Sequence, residues 1–188
     1  MLRAILQEYK NLTDIEREIL RFWGKIFISE SSKTVILLLF FLIIDKCSAF
    51  LFSLGILLPL RCNMGGLHFN SYTRCLLATW GIFVVPICIL PHIIEVNKGI
   101  AILSLFVCFA INLIAGPVIN PTRPALFLTE IRNIRMRISV AFIIYVILIQ
   151  VILSDEYIVY CIGIIIEQTL QLIIAKCTRK EQKDGIHN

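Results

Sequence analysis

Three observations predict an all-α fold, a polytopic integral membrane helical bundle. The chain has 188 residues, of which 58% are hydrophobic and only 16% charged, whereas soluble domains run near ~45–50% apolar and ~25% charged. Its mean hydropathy is +0.85. The apolar residues gather into blocks instead of amphipathic stripes, and a helix that crosses a bilayer needs roughly 20 such residues in a row. The blocks recur to the C-terminus while the first 33 residues carry charge throughout, which argues against a signal sequence as their source.

Residues 1–33 read as an N-terminal amphipathic interfacial helical segment. Leu2, Ile5, Leu6, Tyr9 and Leu12, then Ile15, Ile19, Phe22 and Trp23, recur at helical spacing between charged positions. Thr13 followed by Glu16 makes a capping box where a helix can restart. A basic amphipathic helix with Phe and Trp on its apolar side suits the membrane interface; packing against the bundle is the alternative. Residues 34–188 form the expected transmembrane domain. The apolar run 34–60 is broken by Asp45 and Lys46 and leads into a polar, glycine-bearing segment, 61–74. A span near 75–91 and another near 99–116 follow. Residues 117–137 are polar and rich in Pro and Arg, and spans near 138–153 and 157–175 flank Ser154, Asp155 and Glu156.

Charge sets the expected topology. Lys and Arg cluster in the N-terminal third, between Arg123 and Arg137, and in the tail (Lys176, Arg179, Lys180, Lys183), and such residues collect on the cytoplasmic side. The acidic turn 154–156 and the loop 92–98 then lie outside, and 61–74 lies inside. As one helix, residues 34–60 would be about 40 Å long and cross once, leaving the basic N-terminus outside. The charge bias therefore favours a hairpin bending near Asp45–Lys46, for about six membrane segments: four spans plus a short hairpin-like pair. A nucleic-acid partner is not expected, because that reading needs a basic face without apolar spans. The seven cysteines show no CxxC and no paired spacing, so neither a disulfide framework nor a metal site is expected, and no cofactor.

The chemistry-bearing residues converge on 61–75. His68 is one of three histidines, and Cys75 follows it by seven positions. A thiolate attacks carbonyls, and a nearby imidazole can take the thiol proton and later protonate the leaving amine. Gly65 and Gly66 let the backbone turn with positive φ or approach a substrate closely. Arg61 and Arg74 flank the segment and suit an acidic peptide or anionic lipid, and Cys62 is a rival nucleophile. In a straight helix His68 and Cys75 would sit about 10 Å apart along the axis, beyond the reach of a dyad. The pair therefore requires a bend, for which Asn70 and Ser71 are suitable turn residues. The Cys75 N–H is a candidate oxyanion donor if it opens a helix. Asn63 and Asn70 are local candidates to orient the dyad. Glu167, Gln168 and Gln171 put polar groups on the last span, where such groups face the protein interior. Helix–helix bonding is the first account of them, ahead of direct catalysis, and substrate binding is the alternative. His92 and His187 receive no role.

The run Arg61…Gly65-Gly66-Leu67-His68…Cys75 resembles the signature of the AgrB (accessory gene regulator B) family, membrane peptidases of bacterial peptide quorum sensing. Residues 115–124 (AGPVINPTRP), the basic cluster Arg132, Arg135 and Arg137, and Gly163 to Glu167 resemble further family segments, so the likeness runs through nearly the whole chain. It implies a membrane-embedded cysteine endopeptidase at the cytoplasmic face, with Cys75 as nucleophile and His68 as its base. Arg61, Gly65, Gly66, Asn70 and Glu167 would bind substrate or shape the site. The substrate would be an AgrD-like propeptide, cleaved on its C-terminal side through a thioester. An internal Cys or Ser of the peptide would then close a thiolactone or lactone. Membrane lipid and a homodimer are the other partners implied. Two readings compete: a non-catalytic transporter or export accessory protein, and a metal-dependent hydrolase using His68, Cys75 and Cys62. The first lacks a visible internal repeat, and the second lacks HExxH or a common zinc spacing.

Overall fold

The computed structural model describes residues 14–67, 71–118, 128–152 and 154–184. The described residues are helices and connecting turns without a strand. Thr13 of the expected capping box lies outside them. Helix α1 (Asp14–Ile43) is a unit by itself, the chain dividing after Ile43. It runs unbroken through residue 33. Its middle is polar: Lys33 pairs with Glu30, and the Ser32 and Thr34 hydroxyls donate to the carbonyls of Ser29 and Glu30. Its last turns are apolar throughout. The helix stops where the sequence places its polar pair, with Asp45 at φ 58°, a conformation that Asp tolerates better than branched or bulky residues do.

The second unit holds α2 (Cys47–Met64), α3 (Tyr72–Ile93), α4 (Lys98–Ala115), α5 (Leu128–Ile147, extended by a π-helical turn, Leu148–Ile152) and α6 (Asp155–Asp184). These five are long and apolar enough to cross a membrane, and the protein is a multi-pass membrane protein. The expected segment pair 34–60 is divided between the end of α1 and α2, and only α2 meets that criterion. Two expected polar stretches prove partly helical. Arg61, Cys62 and Asn63 belong to the last turn of α2, and Arg132, Arg135 and Arg137 lie on α5, which begins ten residues before the span read from the sequence. A hydropathy reading cuts a span where charge begins. The helix continues, because its backbone bonds do not depend on side-chain polarity.

The central helix is α6. Of its membrane window 67% is buried, against 22–39% for the other four. Its buried face comprises Ile158, Cys161, Ile164, Ile165 and Leu172, all fully enclosed. Against α3 the fit is close: a Cβ on Gly163 would stand 2.8 Å from the Pro86 Cβ, so only glycine lets this proline approach. Pro86 opens the π-helical turn Val85–Ile89, consistent with its missing N–H. Phe50 on α2 meets Phe83 on α3 edge to face at 4.8 Å, and Phe109 on α4 meets Phe142 on α5 at 5.0 Å. Buried polar groups bond between helices: Tyr145 donates to the Ile56 carbonyl at 2.8 Å, and Asn112 to the Thr169 hydroxyl at 2.9 Å. The outward faces carry apolar residues such as Leu103, Ile114 and Val151, which suits hydrocarbon as the surrounding solvent.

The helices alternate in direction, so the second unit has two ends. The far end gathers 44–46, 94–97 and Ser154, tied by Lys46 to the Ile87 carbonyl and by Tyr157 to Ser48. The near end gathers the turn after α2, the turn after α4 and the C-terminal half of α6.

Candidate functional site

The near end is built around a chain reversal. Helix α2 ends because Gly65 adopts φ 75°, ψ −161°, a region essentially restricted to glycine. Its N–H still bonds the Arg61 carbonyl at 3.0 Å. The helix's closing carbonyls are satisfied from elsewhere in the fold: Val118 N–H donates to the Met64 oxygen at 2.9 Å, and Gln168 Nε2 to the Gly65 oxygen at 2.7 Å. The turn after α4 uses the same device, with Gly116 at φ 62°, ψ 176°. The two glycine turns are therefore neighbours, joined through Val118 and backed by α6.

Gly66 is buried, and a Cβ there would lie 3.6 Å from Gln171 Oε1, an ordinary contact. Gln168 and Gln171, three residues apart on α6, thus both reach the 65–66 turn. His68 and Asn70 lie outside the described residues. The chain re-enters at Ser71, which is extended (φ −108°, ψ 132°), and α3 starts at Tyr72. The segment 61–75 is therefore not one straight helix, as a dyad requires. The chain is out of helix at 65–67 and again at Ser71, one of the two turn residues read from the sequence; Asn70, the other, lies outside the described residues.

Cys75 is in the first turn of α3 and is 6% exposed. Its N–H is bonded to the Ser71 carbonyl at 3.1 Å, and its own carbonyl accepts the Thr79 hydroxyl at 2.8 Å. The Cys75 N–H is thus engaged in the helix and is not the oxyanion donor anticipated above. By helix geometry the N–H groups ahead of it, those of Thr73 and Arg74, have no partner inside the helix. Cys62, the rival, is exposed on α2.

The remaining sequence candidates are spread around this end. Arg61 is half-buried, and its Nη1 has no hydrogen-bond partner among the described residues; the same holds for Gln168 Oε1. Asn63 turns back on its own helix, donating to the Pro59 carbonyl at 2.7 Å. Glu167 is half-buried on α6. His92 is exposed in the last turn of α3, at the far end, and His187 lies outside the described residues. Sequence reasoning gave Gln168 no partner and read Lys176 only as part of the basic tail; its Nζ would lie 3.9 Å from a Cβ on Gly116. The available signal for Gln168 was an uncharged amide inside an apolar helix, which must bond something. Nothing in the sequence says that the partner is 103 positions away.

Comparison with known proteins gives the site its context. A curated protein of Clostridium beijerinckii described as AgrB-like is 33% identical over 97 residues, which is 52% of this chain and 49% of that protein, so the match spans about half the relative's length. No solved structure matches significantly. The family model for accessory gene regulator B, AgrB, matches residues 2–174. That match takes in all five candidate spans but for the last few residues of α6, and the chain belongs to the AgrB family.

Proposed function

We propose that this protein is a membrane-embedded cysteine endopeptidase that trims an AgrD-like quorum-sensing propeptide and promotes its cyclisation. Family membership supports the pathway. The observation that favours the chemistry is that α2 ends at Gly65 and a new helix starts at Tyr72, with Cys75 buried in its first turn.

In this reading His68 takes the Cys75 thiol proton and the sulfur attacks the scissile carbonyl. The N–H groups of Thr73 and Arg74, at the positive end of the α3 dipole, are suited to the oxyanion. His68 then returns the proton to the leaving amine, and the C-terminal fragment departs. The N-terminal part remains as a thioester on Cys75. An internal Cys or Ser of the peptide attacks that thioester, forming a ring thioester or ester and restoring the Cys75 thiol. A buried sulfur favours ring closure over hydrolysis because water is kept from the acyl group. Arg61, with donor capacity to spare, is assigned to substrate, as is Glu167; Gly65 and Gly66 shape the turn, and Asn70 completes it. The near end is assigned to the cytoplasm, because Arg61, Arg74, Arg132, Arg135 and Arg137 are distributed toward it.

Co-expression with an AgrD-like propeptide, followed by mass spectrometry, tests this reading. Wild type yields a C-terminally trimmed or cyclic peptide, whereas Cys75→Ser and His68→Ala yield none. Equal processing in all three removes Cys75 as nucleophile. Loss confined to Cys62→Ser would transfer that role to Cys62, and no processing by any form would favour a non-catalytic export role.

A further inference from the structure

We propose that the groove between α2 and α5 is a selective site for one anionic phospholipid of the near-end leaflet, a role independent of the dyad reading. The groove holds about 1010 Å³, at the upper end of the range for small-molecule sites. Its floor is fixed. Ile56, Ala141 and Tyr145 are buried there, and the Tyr145 hydroxyl donates to the Ile56 carbonyl at 2.8 Å, tying the two helices together. Gly55 leaves the recess open, because a Cβ there would meet nothing within 4 Å. The lining is graded along its length: apolar residues, Leu51 and Leu148 among them, give way at the near end to Asn63, Asn133 and Arg137.

That grading matches a lipid with a negative headgroup. Among the described residues lining the groove, Arg137 is the one that carries charge, and no Asp or Glu lies beside it. It is exposed and has no ion pair among the described residues. A guanidinium donates two parallel N–H bonds to phosphate oxygens. The neighbouring amides can add to them, since Asn63 gives one N–H to the Pro59 carbonyl and an amide carries two. Length agrees as well. From Leu51 to Asn63 the helix rises ~18 Å, against ~15 Å for the hydrocarbon of one leaflet. An acyl chain in the recess therefore brings its phosphate to the level of Arg137. An amphipathic peptide helix lies in the plane of the interface, whereas this groove follows two spans across the bilayer, so such a helix would cover only its mouth. In a two-fold pair about the membrane normal the same face meets itself. That pairing would bring two Arg137 side chains to one level, with no carboxylate in the groove to separate them.

Native mass spectrometry tests the site. Full-length protein in detergent micelles is titrated with phosphatidylglycerol or phosphatidylcholine, and the lipids retained per chain are counted. Wild type is expected to retain one phosphatidylglycerol at concentrations where it retains no phosphatidylcholine. Arg137→Gln should weaken phosphatidylglycerol retention by about fivefold or more. Gly55→Leu, which fills the recess, should abolish the preference. Two controls keep the wild-type pattern. Arg132→Gln removes an exposed cation from the same helix outside the groove. Gly81→Leu adds a side chain on α3, where a Cβ also meets nothing within 4 Å.

Equal retention of the two lipids by wild type would reduce the groove to unselective hydrocarbon contact and overturn the proposal. So would an Arg132→Gln loss as large as that of Arg137→Gln, which would mean diffuse charge attraction and no site. Unchanged retention in both groove variants would put the lipid elsewhere on the protein. A dimer that Gly55→Leu dissociates, with lipid still bound, would give the groove to a second copy. If Gly55→Leu does not fold, Arg137→Gln against Arg132→Gln decides by the same criterion.

Discussion

The two ends of the five-helix unit solve the same problem differently. Each must dispose of the polar groups that helix termini leave unbonded. At the far end polar and charged side chains do this: Asn97 caps α4 through its side chain, which accepts the Ile100 N–H at 2.8 Å. Lys46 and Lys98 cover the carbonyls of Ile87 and Gln150, and Asp155 and Glu156 occupy the first turn of α6, where acidic residues complement the helix dipole. At the near end two helices stop at glycines that side-chain-bearing residues could replace only with strain. The closing carbonyls of α2 are bonded by Val118 and Gln168, from distant parts of the chain, and capacity is left over. Among the described residues, four buried side-chain polar atoms have no partner, and three of them, on Arg61, Asn112 and Gln168, lie in the near half. Spare donors and acceptors in that half support the site proposed there.

Substitutions can sharpen or break that contrast. The largest effects belong to the proposed dyad. Cys75→Ser and His68→Ala should each reduce peptide processing by about 10³-fold or more, measured by mass spectrometry at equal protein levels, with folding intact. Next comes the glycine turn. Gly65→Ala forces a Cβ into a backbone region that costs about 1–3 kcal/mol and should lower processing about tenfold or more. Gly66→Ala meets only an ordinary contact and should stay within about threefold of wild type. Equal losses at both positions would mean that space, not backbone conformation, governs the turn.

Smaller effects are expected away from the site. Asn112→Leu removes the α4–α6 bond and should cost about 0.6–1.7 kcal/mol of stability, seen as a lower unfolding temperature. Lys46→Met at the far end should cost about 0.5–1 kcal/mol and leave processing unaffected. A loss of activity from Lys46→Met would break the division between the ends.

Much of the fold was legible in the sequence, because bilayer thickness converts directly into lengths of apolar chain. The spans near 75–91 and 157–175 lie within α3 and α6, the span near 99–116 coincides with α4 except for Gly116, its cap, and the interruption at Asp45–Lys46 is a real helix break. Polar helical ends were not legible. Residues 128–137 read as loop although they are the first turns of α5, since hydropathy reports the solvent and not the backbone. At the site, the need for a bend between His68 and Cys75 followed from rise per residue alone. Ser71, one of the two turn residues read from the sequence, is extended; that α2 already ends at Gly65, whose carbonyl bonds Gln168, no local pattern encodes. His68 and Asn70 themselves lie outside the described residues, so their part in the site rests on sequence.

The central claim is that the peptide is held as a thioester on Cys75, and trapping that species tests it most directly. A propeptide whose ring-forming Cys or Ser is replaced by Ala is incubated with wild-type protein, and the intact mass and the Cys75 peptide are examined. A covalent adduct of the N-terminal fragment on Cys75, released by hydroxylamine and absent from Cys75→Ser, is the predicted result. Cleavage of the peptide with no adduct on Cys75, or an adduct on Cys62, would contradict the account.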